Sequence, residues 1–269
     1  MDETALRDLI GRRMPGYRIE SVEPIGSGLD NSATLVNGDL VVRSAKDGDA
    51  ATVEREARLL AIVAGVSPLP TPEPLFVESA TMAYRSLAGV PLIEQDASDV
   101  PPVAAQLDEF LRALHSAPIE LFADLVEADV VPLAEWLDEA AEGYAGVREQ
   151  IPARYRAGID LFLGAAPPAD PEALVFSHND LGIEHVLVES GVVSGVIDWT
   201  DAALTDPAYD YGLLQRDLGP AAPACPSPLV ERATFYARCS VFEDLAYGLE
   251  TGRDQYTAKC LRSLDWLFS

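Results

Sequence analysis

The spacing of apolar positions divides the chain near residue 100. Before it, short apolar stretches alternate with turn residues. They predict a short helix over 3–14, a strand over Tyr17–Glu23 and a turn-rich loop over Pro24–Ser32. Thr34–Val36 and Leu40–Arg43 flank Asn37-Gly38-Asp39 and read as a hairpin, because Asn-Gly favours the tight primed turn. Residues 50–64 are strong helix formers, and the helix should end at Gly65. Prolines at 68, 70, 72 and 74 bar regular structure before predicted strands at 75–78 and 81–85. Ser86–Gly89 reads as a linker.

Beyond residue 100 helical periods take over. Val103, Leu107, Phe110, Leu111 and Leu114 recur at helical spacing over 101–115, and 132–146, 152–165, 228–250 and 254–268 also read as helices. Residues 173–200 interrupt them with β-like pieces. Val186–Val188 and Val192–Ile197 flank Glu189-Ser190-Gly191 and predict a second hairpin. A hairpin returns the chain to its starting point, so Asp180 before its first strand and Asp198 after its second should face a common cleft. Two carboxylates so placed can divide labour, one accepting a proton from a hydroxyl and the other holding a divalent cation. The pattern as a whole predicts an α+β protein with a small β-rich lobe, residues 1–86, and a larger, mainly helical lobe, residues 87–269.

Composition narrows the function. With 48% hydrophobic and 23% charged residues the chain is globular rather than disordered. Its 44 acidic and 19 basic residues give a net charge of −25, which repels phosphate backbones and excludes a nucleic-acid binder or a polybasic membrane anchor. No apolar run is long enough to span a bilayer, and the acidic start lacks the basic flank of a signal peptide, so a cytoplasmic protein is expected. Cys225, Cys239 and Cys260 are too few and too widely spaced for a disulfide framework or a zinc site. The charge is uneven: residues 1–88 carry −4 and residues 89–269 carry −21. An amine-bearing small-molecule substrate would be drawn to the second part, where Glu135, Asp138, Glu139, Glu142, Glu231, Glu243 and Asp244 are candidates to line its site. Only Lys46 and Lys259 are lysine, so a buried ammonium has two candidates.

His178-Asn179-Asp180-Leu181 through His185, followed by Ile197-Asp198-Trp199, resembles the H-G-D-L-H-x-x-N and I-D-W pattern of the aminoglycoside and macrolide phosphotransferases, relatives of choline kinases with a protein-kinase-like fold. Gly26-Ser27-Gly28, Arg55-Glu56-Ala57, Leu114-His115 and Asp206 to Asp210 agree with it, so the resemblance spans about residues 20–250. It implies a bilobal fold with a nucleotide cleft between the lobes. It also implies a magnesium-bound nucleoside triphosphate, ATP or GTP, held partly by Ser27 and Gly28. Asp180 would be the base that takes or orients the acceptor hydroxyl, and Asp198 the metal-binding carboxylate. His178 would brace the catalytic loop, Asp206 and Asp210 would brace neighbouring loops, and His115 would serve as a core or capping group.

Three departures from the pattern matter. The phosphate-gripping strand lysine has no lysine counterpart; Arg43 stands at the strand end, with Glu56, or less well Glu54, able to hold it in an ion pair. Lys46, three residues on, falls on the opposite strand face. The loop at 25–32 has too few glycines for a full kinase G-x-G-x-x-G, and no P-loop motif occurs. The second metal ligand, Asn in the pattern, is His185, although magnesium prefers oxygen. Macrolide kinases are similar here, with His at this place and an I-D-W-T stretch. The leading expectation is a kinase of a cationic antibiotic-like substrate. A metabolite kinase of choline, sugar or homoserine type, a nucleotide-binding pseudokinase and a metal-dependent phosphatase are the competing readings.

Overall fold

The computed structural model describes residues 2–27, 31–95 and 102–269, which form two compact units, Met1–Ala88 and Gly89–Ser269. In the first, helix α1 (Glu3–Arg13) is followed by strands β1 (Val22–Ser27), β2 (Asn31–Val36) and β3 (Leu40–Ala45), helix α2 (Ala50–Val66), and strands β4 (Pro74–Glu78) and β5 (Thr81–Arg85). The strands make one antiparallel sheet in the order β1-β2-β3-β5-β4. Leu6 and Ile10 of α1 join Val36, Leu40, Val42 and Ala83 of the sheet in a buried cluster, with Tyr17, Ile19 and Phe76 packed at its edge.

The β2–β3 turn is the one Asn-Gly predicts. Asn37 and Gly38 have φ of 53° and 73°, and the Asp39 N–H reaches the Val36 carbonyl at 3.1 Å. Three predicted elements shift. The strand expected over Tyr17–Glu23 begins only at Val22, because the Asn37 side chain captures the preceding segment: its Oδ1 accepts from the Glu20 and Ser21 N–H groups, and its Nδ2 donates to the Arg18 carbonyl. Of the loop expected over Pro24–Ser32, residues 28–30 lie outside the described residues and the rest is strand, paired through Gly26↔Ala33 and Ser27↔Ser32 across a bulge near Pro24. Helix α2 runs through Gly65 and stops at Ser67, whose extended backbone is what Pro68 enforces on its predecessor.

In the second unit a three-stranded sheet, β6 (Val90–Pro91), β8 (Val186–Glu189) and β9 (Val192–Val196), and a two-stranded one, β7 (Val175–Ser177) with β10 (Ala203–Thr205), lie among six helices of the described residues. The helices are α3 (Ala104–His115), α4 (Leu133–Val147), α5 (Ala153–Leu163), α6 (Ala208–Leu218), α7 (Val230–Thr251) and α8 (Asp254–Leu267). Helix α7 packs against α4, α6 and α8. Gly212 allows the close approach of α6 to α7, since a Cβ there would meet the Ala233 carbonyl oxygen at 2.7 Å. An aromatic stack, Phe122 on Phe176 and both Phe176 and Phe110 against Trp199, fills the core beneath the β8–β9 hairpin's base. All three cysteines are free, Cys239 and Cys260 being buried. No helix of the described residues is long and apolar enough to cross a membrane.

Candidate active site

The β8–β9 hairpin turns at Ser190-Gly191, whose φ values of 53° and 83° repeat the geometry of the first hairpin. It returns Asp198 to the segment that carries Asp180. His185, at the foot of β8, bridges the two: its Nδ1 lies 3.3 Å from Asp180 Oδ2 and its Nε2 lies 3.9 Å from Asp198 Oδ2. Nδ1 also donates to the Asp180 carbonyl at 2.8 Å, so Nε2 is the nitrogen turned toward Asp198; burial would lower the His185 pKa, but Asp180, Glu184 and Asp198 hold it above its usual value. Burial pushes the Asp180 carboxyl up to about 7, with Glu184 and Asp201 adding to the rise and His185 opposing it. A carboxyl so placed is a competent base near neutral pH.

Below this trio lies a bracing layer. His178 is fully buried; burial and neighbouring His185 push its pKa down to about 4, so the ring is neutral. Its Nε2 donates to the Ile197 carbonyl at 3.0 Å and its Nδ1 accepts the Asp180 N–H at 3.3 Å. One imidazole thus ties the segment before the hairpin to the segment after it. Asp210 accepts from the N–H groups of His178 and Asn179 and from His115 Nε2, which makes His115 a brace of this segment. Burial would raise the Asp210 pKa, but these donors hold it below the usual carboxylate range. Asp206 accepts the Ala208 N–H at the start of α6 and pairs with Arg232 at 2.6 Å. Asn179 replaces the glycine of the resembled pattern, and its φ of 64° explains why: Asn tolerates the left-handed backbone that Gly adopts freely. Asp198, also left-handed at φ 62°, has its Oδ1 hydrogen-bonded by Thr200 Oγ1.

Tested as a magnesium site, the residues fit a partial one. Among the described residues no three His, Cys, Asp or Glu side chains are placed to hold one metal ion together, so the Asp198 carboxylate and the His185 Nε2 are the groups that would contact it. Magnesium commonly takes few protein ligands and completes its octahedron with phosphate oxygens and water, and such a sparse set suits an ion that arrives with a nucleotide.

The other expected site residues belong to the first unit. Arg43, near the end of β3, forms an ion pair with Glu56 of α2, and both side chains are nearly buried, 15% and 12% exposed. Ser27 ends β1, and Gly28 lies outside the described residues. In the second unit a cavity of about 300 Å³ opens beside Asn179, with Trp136, Tyr209 and Tyr236 on its walls and carboxylates from Asp129, Asp170 and Glu172. None of the seven helical carboxylates singled out in the sequence lines it. Five of them face solvent, from Glu135 to Glu231, and Glu243 is exposed as well. Asp244 is instead consumed by internal ion pairs with Arg216 and Lys259. The aromatic walls come from α4, α6 and α7, whereas the carboxylates Asp129, Asp170 and Glu172 sit on loops, where no periodicity marks them.

The chain is 30% identical over 237 residues to viomycin phosphotransferase of Streptomyces vinaceus, covering 79% of each protein. Among solved structures it is similar to a GDP and kanamycin complex of APH(2")-IIia, with 24% identity, 98% of each chain covered and a TM-score of 0.71. A type I macrolide 2'-phosphotransferase superposes with a TM-score of 0.63 at 22% identity, covering 98% of this chain and 96% of the other. These likenesses show the kinase-like α+β fold of such enzymes. A family profile described as phosphotransferase enzyme family matches residues 21–245, and the chain belongs to that family.

Proposed function

We propose that this protein is an antibiotic kinase that transfers the γ-phosphate of magnesium-bound ATP or GTP to a hydroxyl of an amine-bearing acceptor. The observation that carries the reading is the convergence of Asp180, His185 and Asp198 at the two ends of one hairpin, within 4 Å of the same imidazole. Asp180 is the base: its raised pKa lets it accept the hydroxyl proton as the oxygen attacks. Asp198, with His185 behind it, would hold the magnesium ion, which when bound neutralises charge on the transferring phosphoryl group. Arg43, fixed by Glu56, presents a guanidinium suited to nucleotide phosphate oxygens, and Ser27 at the end of β1 is assigned to the same nucleotide.

The acceptor is assigned to the cavity beside Asn179. Three aromatic rings, with centroids 5.2 to 5.5 Å apart, and several carboxylates make a wall that favours an ammonium or guanidinium over an anion or a neutral polyol. The viomycin, aminoglycoside and macrolide phosphotransferases it resembles support an antibiotic as the acceptor. The test is phosphate transfer to viomycin, to aminoglycosides and macrolides, and to choline and neutral sugars, with wild type and Asp180→Asn. Transfer to an amine-bearing antibiotic that Asp180→Asn abolishes, with nucleotide affinity kept, supports the reading. Turnover confined to neutral sugars, or an active Asp180→Asn, refutes it.

A further inference from the structure

The turn that separates Asp180 from His185 is fastened from behind by a buried charge cluster. Lys259 of α8 is 1% exposed. Its ammonium stands 2.7 Å from Glu184 Oε2, 3.0 Å from Asp217 Oδ2 at the end of α6, and 3.0 Å from Asp244 Oδ2 of α7. Arg216 pairs with both Asp217 and Asp244, at 2.7 and 3.0 Å. Asp217 also accepts the Ile183 N–H at 3.1 Å. Two consecutive residues of the turn are therefore anchored, Ile183 by its amide and Glu184 by its carboxylate, to three helices at once. The flanking residues are Asp180 and His185.

Two sequence choices make sense only through this anchor. Gly182 leaves room for Glu184 to fold back, since a Cβ there would lie 2.5 Å from the Glu184 carboxylate. Lys259 is the single lysine among the basic residues of the second unit, the others being arginine. An ammonium offers three donors in a tetrahedral spread and can meet three carboxylates arriving from three elements, whereas a planar guanidinium aims its donors into one fork.

We propose that Lys259 is a positioning residue for the catalytic loop: through Glu184, and with Asp217 holding the Ile183 amide, it fixes the turn that sets Asp180 against His185. It acts through the loop and touches no reacting group. The proposal rests on the assignment of Asp180 as the base, so Asp180→Asn is run alongside.

Lys259→Met removes the cation shared by three carboxylates, leaving Arg216 to hold Asp217 and Asp244 alone, and is at risk of not folding, so the decisive variants are Glu184→Ala and Glu184→Gln. Glu184→Ala should lower kcat by about 10- to 100-fold, the usual cost of losing an outer-shell partner. Its nucleotide KM should stay within a factor of about three, because the anchor governs rate rather than ground-state binding. Hydrogen exchange at the Ile183 amide should quicken, and Glu184→Gln, which keeps an acceptor for the ammonium, should restore part of kcat. Unchanged kcat in Glu184→Ala while Asp180→Asn is inactive overturns the proposal and leaves the functional reading standing. A loss of kcat that merely follows a lowered Tm, without rescue by Glu184→Gln, also overturns it. An active Asp180→Asn overturns the functional reading itself.

Discussion

The roles proposed for Asp198 and Arg43 toward the nucleotide differ, and substitutions should separate them. Asp198→Asn keeps an oxygen but loses the charge, so more magnesium should be needed for half-maximal rate and kcat/KM should fall about 100-fold, consistent with one lost metal ligand. Arg43→Lys keeps the charge but loses the fork that meets Glu56, and nucleotide KM should rise about tenfold, the worth of one charge-assisted hydrogen bond. Titrating each variant with magnesium at saturating nucleotide, then with nucleotide at saturating magnesium, tells the two apart. Should both respond only to magnesium, the role given to Arg43 falls. His185 presents a different case: its Nδ1–H is committed to the Asp180 carbonyl, so His185→Asn alters the support of Asp180 as well as the Nε2 ligand. Manganese should therefore rescue only part of its lost rate.

At the level of elements, both hairpins were legible because their turns carry Asn-Gly and Ser-Gly, residues that accept the positive φ a tight turn needs. Placing Asp180 and Asp198 together followed from the second hairpin alone. Helix α6 was not legible. Nine of its eleven residues are buried, among them Asp210, Arg216 and Asp217, so it shows no apolar stripe with a polar reverse. Its polar residues are satisfied by partners far along the chain, which no local pattern reveals. The start of β1 was missed for a related reason, since a single side chain, Asn37, holds residues 18–21 out of the sheet. The α6–α7 contact makes a direct prediction. Gly212→Val forces bulk against the Ala233 carbonyl and against Tyr236, whose Cβ lies 3.0 Å from where the new Cβ would sit, and should cost about 1–3 kcal/mol. The urea midpoint should drop with an unchanged m-value; an unmoved midpoint would show that the helices separate without cost.

For the molecule as a whole, charge sets the response to salt and acid. With −21 of the −25 charges beyond residue 88, kcat/KM for an amine-bearing acceptor should fall as salt rises, while that for a neutral hydroxylated acceptor should not. Equal salt dependence for the two would remove the electrostatic argument for a cationic substrate. Acid should destabilise the fold in two stages. His178 is held neutral to about 4, below its unfolded value near 6.5, so the unfolded chain takes up a proton first and stability declines as pH falls between those values, by on the order of 3 kcal/mol in full. Asp210 and Asp217 are held below the usual carboxylate range against the effect of their burial. Their contribution is complete above about pH 4 and is lost below it. A Tm that stays flat from pH 7 to pH 4 would contradict the buried neutral His178. The Asn37 turn has a slower consequence. Asn-Gly is the dipeptide most prone to deamidation, because the bare glycine nitrogen can attack the side-chain carbonyl and expel ammonia. Here that carbonyl is clasped by two N–H groups and the amide nitrogen by the Arg18 carbonyl, which keeps the side chain from swinging onto Gly38. Conversion of Asn37 to aspartate should therefore proceed only when the turn opens, so its accumulation in stored protein, read by mass spectrometry, is a built-in clock for local unfolding of the first unit.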